Sequence, residues 1–193
     1  MSKFAEYAPG NSLEAELRPA DGLSIRTAGP RDLPQAARIV AEREGEDVGV
    51  YRAKLSRELE GDPASTRSSI WVAALRDQVI GFARAGYFAP PADSPADTAP
   101  EGWYLGGLVV DPEYRRRGVG LRLTQARIDW IAHRSDKVYY FASARNLPTL
   151  DLHQRLGFTE VTRSFSFPRV SFTGGVGILF ELVIPSGHRG SEP

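Results

Sequence analysis

The sequence predicts a mixed α/β fold in which helices flank a mostly antiparallel sheet. Apolar runs of strand length alternate with segments of helical periodicity in the order β-α-α-β-β-β-α-β-α-β-β. The runs 70–75 and 79–88 are separated by only Arg76, Asp77 and Gln78, which is typical of an antiparallel hairpin. A helical segment at 118–133 connects the runs 103–110 and 138–143, and this crossover predicts a parallel, right-handed pair.

The first half of the chain supplies a strand, two helices and the hairpin. Residues 23–27 alternate as a short strand does. A helix follows Pro30, with Asp32 as the expected N-cap and Pro34 in the first turn. A second helix is expected from about residue 50 to 60, where Gly61 ends it.

A Pro-rich segment at 89–100 separates the hairpin from the next strand. It contains four prolines among small and polar residues, so we expect a flexible loop that adds nothing to the core. Its position just before the strand 103–110 makes it a candidate lid, and an insertion without function is the alternative.

In the second half, the strand 103–110, the helix 118–133 and the strand 138–143 precede a short helix at 149–156. Gly157 is expected to close this helix at its C′ position, with Phe158 packing behind it. Two further strands are expected at 159–167 and 177–184.

Length and composition predict one soluble domain. The chain has 193 residues, 41% hydrophobic and 25% charged, which is ordinary for a globular protein. We expect a single domain at 23–184 between a flexible N-terminal tail, 1–22, and a C-terminal tail, 185–193. The first tail lacks the apolar segment of a signal peptide, and no run approaches the roughly 18 apolar residues of a membrane span. A cytoplasmic protein without a membrane partner is therefore expected.

Charge and residue usage exclude several function classes. Lys+Arg and Asp+Glu are equal at 24, whereas most nucleic-acid-binding domains have a basic excess, so no nucleic acid is expected as the main partner. The absence of cysteine excludes disulfides and thiolate chemistry. The three histidines lack the paired spacing of a metal site, so no metal is expected.

The most informative segment runs from Leu105 to Leu121 and reads LGGLVVDPEYRRRGVGL. An apolar strand leads into an Arg- and Gly-rich turn and then into an amphipathic helix, an order that presents unpaired backbone N–H groups and positive charge to a phosphate. A Walker motif is excluded because no Lys follows Gly120, and a dinucleotide fingerprint is excluded because its third glycine is missing.

Three features together resemble the signature of the GCN5-related N-acetyltransferase (GNAT) superfamily. They are this turn, Asn146 after the next strand, and the Leu-Gly-Phe sequence at 156–158. The resemblance is sharp from 103 to 158 and implies a sheet splayed between strands 4 and 5. It implies direct transfer of an acetyl group from acetyl-CoA to a primary amine of a small molecule or a protein. Dimers are common in the family, so the resemblance is compatible with a homodimer, which nothing in the sequence shows.

The resemblance also implies the cofactor contacts. The backbone of Leu108, Val109 and Val110 would pair with pantetheine as an added strand does, with an N–H near Leu108 facing the thioester carbonyl. Gly106 and Gly107 suggest a bulge that opens this strand. Asn146 belongs to the second cofactor segment. The pyrophosphate would be held by the turn, which comprises Arg115, Arg116, Arg117, Gly118, Val119, Gly120 and Leu121.

The catalytic groups are less well specified. In the family, the residue seven positions after the Asn is commonly a Tyr that acts as the acid, and in this chain that position is His153. Imidazole can donate a proton, so His153 is the candidate acid. The alternative is that His153 only forms a structural hydrogen bond. The family's two positions for a Glu base are Tyr104 and Phe141 in this chain. Tyr104 could line the acceptor site or orient a water, and Glu101 is a substitute base. A non-catalytic acyl-CoA sensor or partner-binding module on the same fold therefore remains the alternative function.

An acidic cluster lies between the first two helices, where the family usually recognises its acceptor. It could attract a cationic amine, or it could be a solvated charged surface. The cluster consists of Glu42, Glu44, Glu46 and Asp47.

Overall fold

The structure is a computed structural model that describes residues 22–60, 67–172 and 174–185. The predicted tails lie outside the described residues except for Gly22 and Pro185, and so does Gly61, the expected end of the second helix. Within the described ranges, no helix is both long enough and apolar enough to span a membrane.

The strands and helices follow one another in the predicted order. The strands are β1 Leu23–Thr27, β2 Ser68–Leu75, β3 Gln78–Phe88, β4 Gly102–Val110, β5 Lys137–Ser143, β6 Thr159–Thr162 and β7 Gly177–Val183. The α-helices are α1 Leu33–Glu44, α2 Val48–Leu59, α3 Val119–Ala132 and α4 Leu147–Arg155. Short 3-10 turns at Pro30–Asp32 and Pro112–Tyr114 precede α1 and α3.

The strands form a sheet in the order β1-β2-β3-β4-β5-β7-β6. The hairpin β2–β3 is antiparallel, as predicted, and so are the pairs β1–β2, β5–β7 and β6–β7. The predicted crossover pair β4–β5 is parallel, with Tyr104 opposite Tyr139. The fold is thus a mixed, mostly antiparallel sheet flanked by helices, as the sequence predicts.

The described chain divides into two compact units, of which the first comprises 22–60, 67–86 and 105–127. Its helices bury apolar stripes against both faces of its strands. On one face Leu55 of α2 and residues of α1 pack with Phe82 of β3. On the other face Val119 and Leu123 of α3 pack with Ala83. Phe82 and Ala83 are neighbours, and side chains of successive strand residues point to opposite faces.

The second unit comprises 87–104, 128–172 and 174–185 and has an aromatic core. Tyr104, Tyr139, Leu179 and Ala99 are buried together, with several phenylalanines packed around them. Ala99 is 1% exposed, and its N–H donates to the Ser166 carbonyl oxygen over 2.9 Å. The end of the 89–100 segment thus contributes to the core, contrary to expectation, while the flexibility of the segment stays a prediction.

Several boundaries differ from the sequence predictions, among them the start of β2, which lies at Ser68 rather than at 70. Helix α2 begins two residues earlier than predicted because Asp47 accepts a capping hydrogen bond from the Val50 N–H over 2.9 Å. Helix α4 also begins two residues earlier, since Pro148 is tolerated in a first helical turn. Strand β6 ends at Thr162 rather than at 167, and Phe165 and Phe167 pack into the aromatic core instead of extending it.

Asp32 is the N-cap residue of α1, as predicted, but its side chain does not cap the helix. It accepts two hydrogen bonds from the Arg26 guanidinium, over 2.6 and 2.8 Å, and one from the Gly29 N–H over 2.7 Å. The carboxylate therefore ties β1 to the loop that leads into the helix.

Candidate active site

The Arg- and Gly-rich turn between β4 and α3 has a backbone that exposes N–H groups. Asp111 Oδ1 accepts a hydrogen bond from the Glu113 N–H over 3.1 Å and so orders the 3-10 turn. Arg116 and Gly118 have φ angles of 61° and 73°, in the left-handed region. When left-handed residues alternate with right-handed ones just before a helix, successive backbone N–H groups point into one concavity, and such a concavity can bind an anion.

Positive charge surrounds this turn. Arg116 and Arg117 are exposed, and the Arg117 guanidinium lies 5.5 Å from the centre of the Tyr114 ring. In the first turn of α3, Nη1 of Arg122 is buried and has no hydrogen-bond partner among the described residues. A buried donor without an acceptor is costly, and Arg122 adds a further positive charge next to the turn. These residues fit a phosphate group.

Strand β4 has a left-handed glycine at the position where a bulge is predicted. Gly107 has a φ of 61°, which glycine adopts readily and which is typical of a β-bulge. Nη1 of Arg127 donates to the carbonyl oxygens of Gly106, over 3.2 Å, and of Arg84 on β3, over 2.8 Å. The guanidinium thus connects β3 and β4 beside Gly107.

Arg127 is a fully buried cation that the sequence analysis missed. Its guanidinium also bonds Leu123 O and Thr124 Oγ1, and within the described part of the chain no carboxylate pairs with it. Burial lowers the pKa of Arg127 to about 9, which leaves it protonated at neutral pH. The sequence does contain a signal for this burial, because Arg127 follows Leu123 by four residues and therefore shares the buried face of α3.

The predicted pantetheine strand has one edge turned away from β3. The Asp111 N–H donates to the Ile80 carbonyl of β3 over 3.0 Å. Because backbone groups of alternate residues point to opposite edges, those of Val110 and Leu108 point away from β3. Their carbonyls accept from arginine side chains: Val110 O from Arg115 Nε over 3.1 Å, and Leu108 O from Arg43 Nη1 over 3.0 Å.

A carboxylate on α2 also lies close to Gly107 and was missed from the sequence. Glu58 Oε2 lies 3.1 Å from Arg84 Nη2. Burial raises the pKa of Glu58, although the Arg84 charge opposes the shift. A Cβ added at Gly107 would lie 3.5 Å from Cδ of Arg84, so the stem of this arginine covers the glycine. The pairing spans distant parts of the sequence, which is why no local motif reveals it.

Tyr104, predicted to be catalytic, lies in the aromatic core of the second unit. Its hydroxyl donates to the Pro100 carbonyl over 2.7 Å, and its ring stacks on Tyr139 with centroids 5.3 Å apart. Burial, reinforced by Tyr139, raises the pKa of Tyr104 far above its ordinary value. The phenol is therefore protonated at neutral pH and can act as a donor. Phe141, the other position at which the family has a base, lies against the Tyr104 ring.

His153, predicted to be the acid, is 3% exposed. Its Nδ1 lies 2.8 Å from the Thr149 carbonyl oxygen, and its ring stacks on Tyr140 with centroids 3.7 Å apart. Tyr139 and Tyr140 are successive residues of β5 and point to opposite faces, so Tyr104 and His153 contact opposite faces of this strand. The structure does not bring these two side chains together, and the acid role of His153 stays a prediction.

The second predicted cofactor segment forms the helix α4. Asn146 is its N-cap residue, its side chain makes no capping hydrogen bond, and its N–H donates to Ser143 O over 2.9 Å. Gly157 has a φ of 89° and ends the helix, and buried Phe158 packs edge-on against Tyr140. The predicted closure by Gly157 and Phe158 is confirmed.

Three of the four negative charges of the acidic cluster between α1 and α2 are paired with neighbouring Arg and Lys side chains. Glu42 lies 3.8 Å from Arg38, Glu44 lies 3.5 Å from Arg43, and Glu46 lies 2.9 Å from Lys54. The fourth acid is the capping residue of α2. These partners favour the interpretation as a solvated charged surface. In the described part of the chain, this cluster included, no group of three His, Asp or Glu side chains could hold a metal ion.

Comparison with protein-family models gives one match: residues 37–158 match the acetyltransferase (GNAT) family. This range covers more than half of the chain and includes β4, the turn, Asn146 and His153. Among curated proteins, a sequence search finds no significant match.

Solved structures with similar folds include acetyltransferases. Arabidopsis thaliana NAA60, solved in complex with a bisubstrate analogue, superposes with a TM-score of 0.63 at 21% identity, over 85% of this chain and 99% of that one. A ribosomal-protein-alanine N-acetyltransferase from Brucella melitensis gives 0.59 at 20% identity, over 83% and 99%. An acetyltransferase from Streptococcus agalactiae gives 0.60 at 14% identity, over 86% and 100%. At these identities the likeness establishes the fold.

Proposed function

Because the chain belongs to the GNAT acetyltransferase family, we propose that it transfers an acetyl group from acetyl-CoA to a primary amine, in the cytoplasm. The observation that carries this proposal is the β4–turn–α3 segment, Leu105–Leu121. It combines a strand that has a left-handed glycine and an edge turned away from β3, a turn with two left-handed residues, and a cluster of arginines.

The turn is proposed to bind the pyrophosphate of acetyl-CoA. Backbone N–H groups from Arg116 to Leu121 would donate to its oxygens, and the positive end of α3 favours its negative charge. Arg115 and Arg117 would add charge, and the unpartnered Nη1 of Arg122 would gain an acceptor. Asn146 is proposed to contact the cofactor from the second segment, as the family resemblance implies.

The edge of β4 is proposed to bind pantetheine. Leu108 and Val110 direct backbone groups away from β3, where an amide-rich arm could pair as an added strand, continuous with Val109. The sheet would then be splayed between β4 and β5, as the resemblance implies. The Leu108 N–H would face the thioester oxygen and stabilise the negative charge that develops there.

The proposed reaction is a direct acyl transfer. The lone pair of a neutral amine forms the new C–N bond to the thioester carbonyl carbon while the carbonyl π pair moves to oxygen. That pair returns as the C–S bond breaks, the sulfur leaves as thiolate, and the amine nitrogen loses one proton. An alkylamine with a pKa of about 10.4 is only about one part in 10³ neutral at pH 7, so removal of its proton costs roughly 4–5 kcal/mol.

Proton transfer is proposed to involve two side chains. His153 would protonate the leaving thiolate, which requires its second ring nitrogen to reach the sulfur. Tyr104 would orient the acceptor or a water by accepting a hydrogen bond at its hydroxyl oxygen, while its O–H donates to the Pro100 carbonyl. Glu101, an earlier candidate base, is exposed and accepts a hydrogen bond from the Tyr87 hydroxyl over 2.7 Å.

A non-catalytic acyl-CoA sensor is the second candidate. It is favoured by the aromatic environment of Tyr104 and Phe141, neither of which can act as a carboxylate base. Such a module would bind acetyl-CoA through the same turn and strand edge but would release no thiol when amines are added.

Two measurements test the proposal. Acetyl-CoA at 100 times its dissociation constant should stabilise the protein by about 2.7 kcal/mol in thermal unfolding. Thiol release should then be measured with alkylamines, amino acids and peptides that have a free N-terminal alanine, which the Brucella relative's name suggests. Stabilisation with amine-dependent release supports the enzyme, stabilisation without release for any amine supports the sensor, and no stabilisation contradicts both.

A further inference from the structure

Arg43 is a charged side chain that contacts β4, the proposed thioester-binding strand, and the mechanism above gives it no role. It lies in the last turn of α1, and its side chain is 24% exposed. Its Nη1 donates to the Leu108 carbonyl oxygen over 3.0 Å, and its Nε lies 3.5 Å from Glu44 Oε1. Helix α1 thus places a cation 65 residues away in sequence on the backbone of β4.

The guanidinium lies on the edge that the proposed function uses. In an extended strand, the N–H and C=O groups of one residue point to the same edge. Leu108 faces away from β3, since the Asp111 N–H three residues later bonds Ile80 of β3. A group that bonds the Leu108 carbonyl is therefore beside the Leu108 N–H.

Arg43 has hydrogen-bonding capacity in reserve. A guanidinium has five N–H donors. In Arg43, Nη1 makes the hydrogen bond to Leu108, and Nε makes the ion pair with Glu44. Within the part of the chain that the structure describes, no contact involves Nη2. The two contacts hold the planar group in place, so a further donor is fixed before any ligand arrives.

We propose that Arg43 is a catalytic residue whose guanidinium donates, beside the Leu108 N–H, to the thioester oxygen as that oxygen becomes negative. This inference rests on the proposed function. Donors fixed where negative charge develops lower the barrier because little reorganisation is needed during the reaction. A nearby cation also favours the neutral, nucleophilic form of the acceptor amine.

Kinetics of Arg43→Met provide the first test. Loss of one oxyanion donor typically lowers kcat by about 10²–10³-fold, so we expect a fall of that order, accompanied by a smaller loss of affinity for acetyl-CoA. Arg43→Lys, which keeps a cation but loses the planar donor set, should recover part of the rate. The matched control is Arg52→Met, which removes an exposed arginine from α2 and should leave kcat unchanged.

A binding comparison isolates the contact with oxygen. Acetyl-CoA and its thioether analogue S-ethyl-CoA differ at the acyl carbon, where the analogue has no carbonyl oxygen. The wild-type protein should bind acetyl-CoA more tightly, and Arg43→Met should reduce that preference by about tenfold or more, the effect of one hydrogen bond from a charged donor. The control Arg52→Met should keep the full preference.

The outcomes separate this inference from the proposed function. If wild-type protein binds neither compound, both fail. If it binds both and transfers acetyl groups, but Arg43→Met keeps its preference and its kcat, then Arg43 has no catalytic role. If Arg43→Met weakens both compounds equally and lowers unfolding stability, the residue only ties α1 to β4, and the inference is overturned.

Discussion

The adjacent glycines of β4 give a prediction with its own control. Gly107 has a φ of 61°, and a Cβ there would lie 3.4 Å from Cε1 of Phe82, an ordinary contact. At Gly106, φ is not positive and a Cβ would meet nothing within 4 Å. Gly107→Ala should therefore be strained by its backbone, whereas Gly106→Ala should be accommodated.

The magnitudes follow from the backbone conformations. A left-handed φ costs an L-residue about 1–2 kcal/mol. An alanine in a compatible conformation stabilises by about 0.4–1 kcal/mol, because it restricts the unfolded chain. Both single-methyl variants gain this effect alike, so it cancels between them, and they should differ by the strain alone, about 1–2 kcal/mol in the free energy of unfolding, with Gly107→Ala the less stable.

Urea denaturation of both variants and the wild type measures this difference. Equal stabilities, or a more stable Gly107→Ala, would show that the strand does not bulge at Gly107. Such a result would also remove the structural reason for assigning a cofactor-binding edge to β4.

Three further predictions concern the turn, the acid and pH. Gly120→Asp should abolish the thermal stabilisation by acetyl-CoA, because a carboxylate would stand where the backbone closely approaches the pyrophosphate. The control Arg52→Met should retain the stabilisation. An undiminished stabilisation of Gly120→Asp would show that the pyrophosphate does not bind at this turn. His153→Ala should lower kcat and also stability, since the buried ring stacks on Tyr140, whereas an unchanged kcat would remove the acid role. Hydrogen bonds from Arg26 and Gly29 hold the pKa of Asp32 below its usual value, so its stabilising contribution is present above about pH 4 and is lost as pH falls through the folded-state pKa. Denaturation of Asp32→Asn from pH 7 to 3 should show lower stability at pH 7 and a shallower loss in acid, and a curve parallel to that of the wild type would contradict this.

The sequence predicts local backbone features well, because their physics is local. Between Leu105 and Leu121, Gly107 and Gly118 have the left-handed φ that glycine favours, and α3 begins directly after the Gly-rich turn. Gly157 and Phe158 likewise mark the end of α4 through a backbone that only a few residues favour. Element order and the parallel β4–β5 pair follow from periodicity and the crossover rule.

The sequence does not reveal contacts between distant segments. Arg43 reaches Leu108 across 65 residues, and Arg127 reaches Arg84 across 43. Both arginines occur in amphipathic helices, where an arginine usually indicates solvent exposure. Their carbonyl partners become predictable only when the strand order is known.

Alternating aromatic residues explain the strand that was predicted too long. Phe165 and Phe167 alternate with polar residues as strand residues do, yet both pack into the aromatic core beyond the end of β6. His153 illustrates the same limit on a helix: its burial against Tyr140 depends on which face of α4 contacts β5, and a short helix with one histidine does not specify that.

The most direct test of the central claim is the initial rate of thiol release from acetyl-CoA as each amine of the panel is added to the wild-type protein. We predict that at least one primary amine raises the rate in proportion to enzyme concentration, and that Gly120→Asp shows no such increase. A rate that no amine changes, with acetyl-CoA bound, would contradict acetyl transfer as the function of this chain.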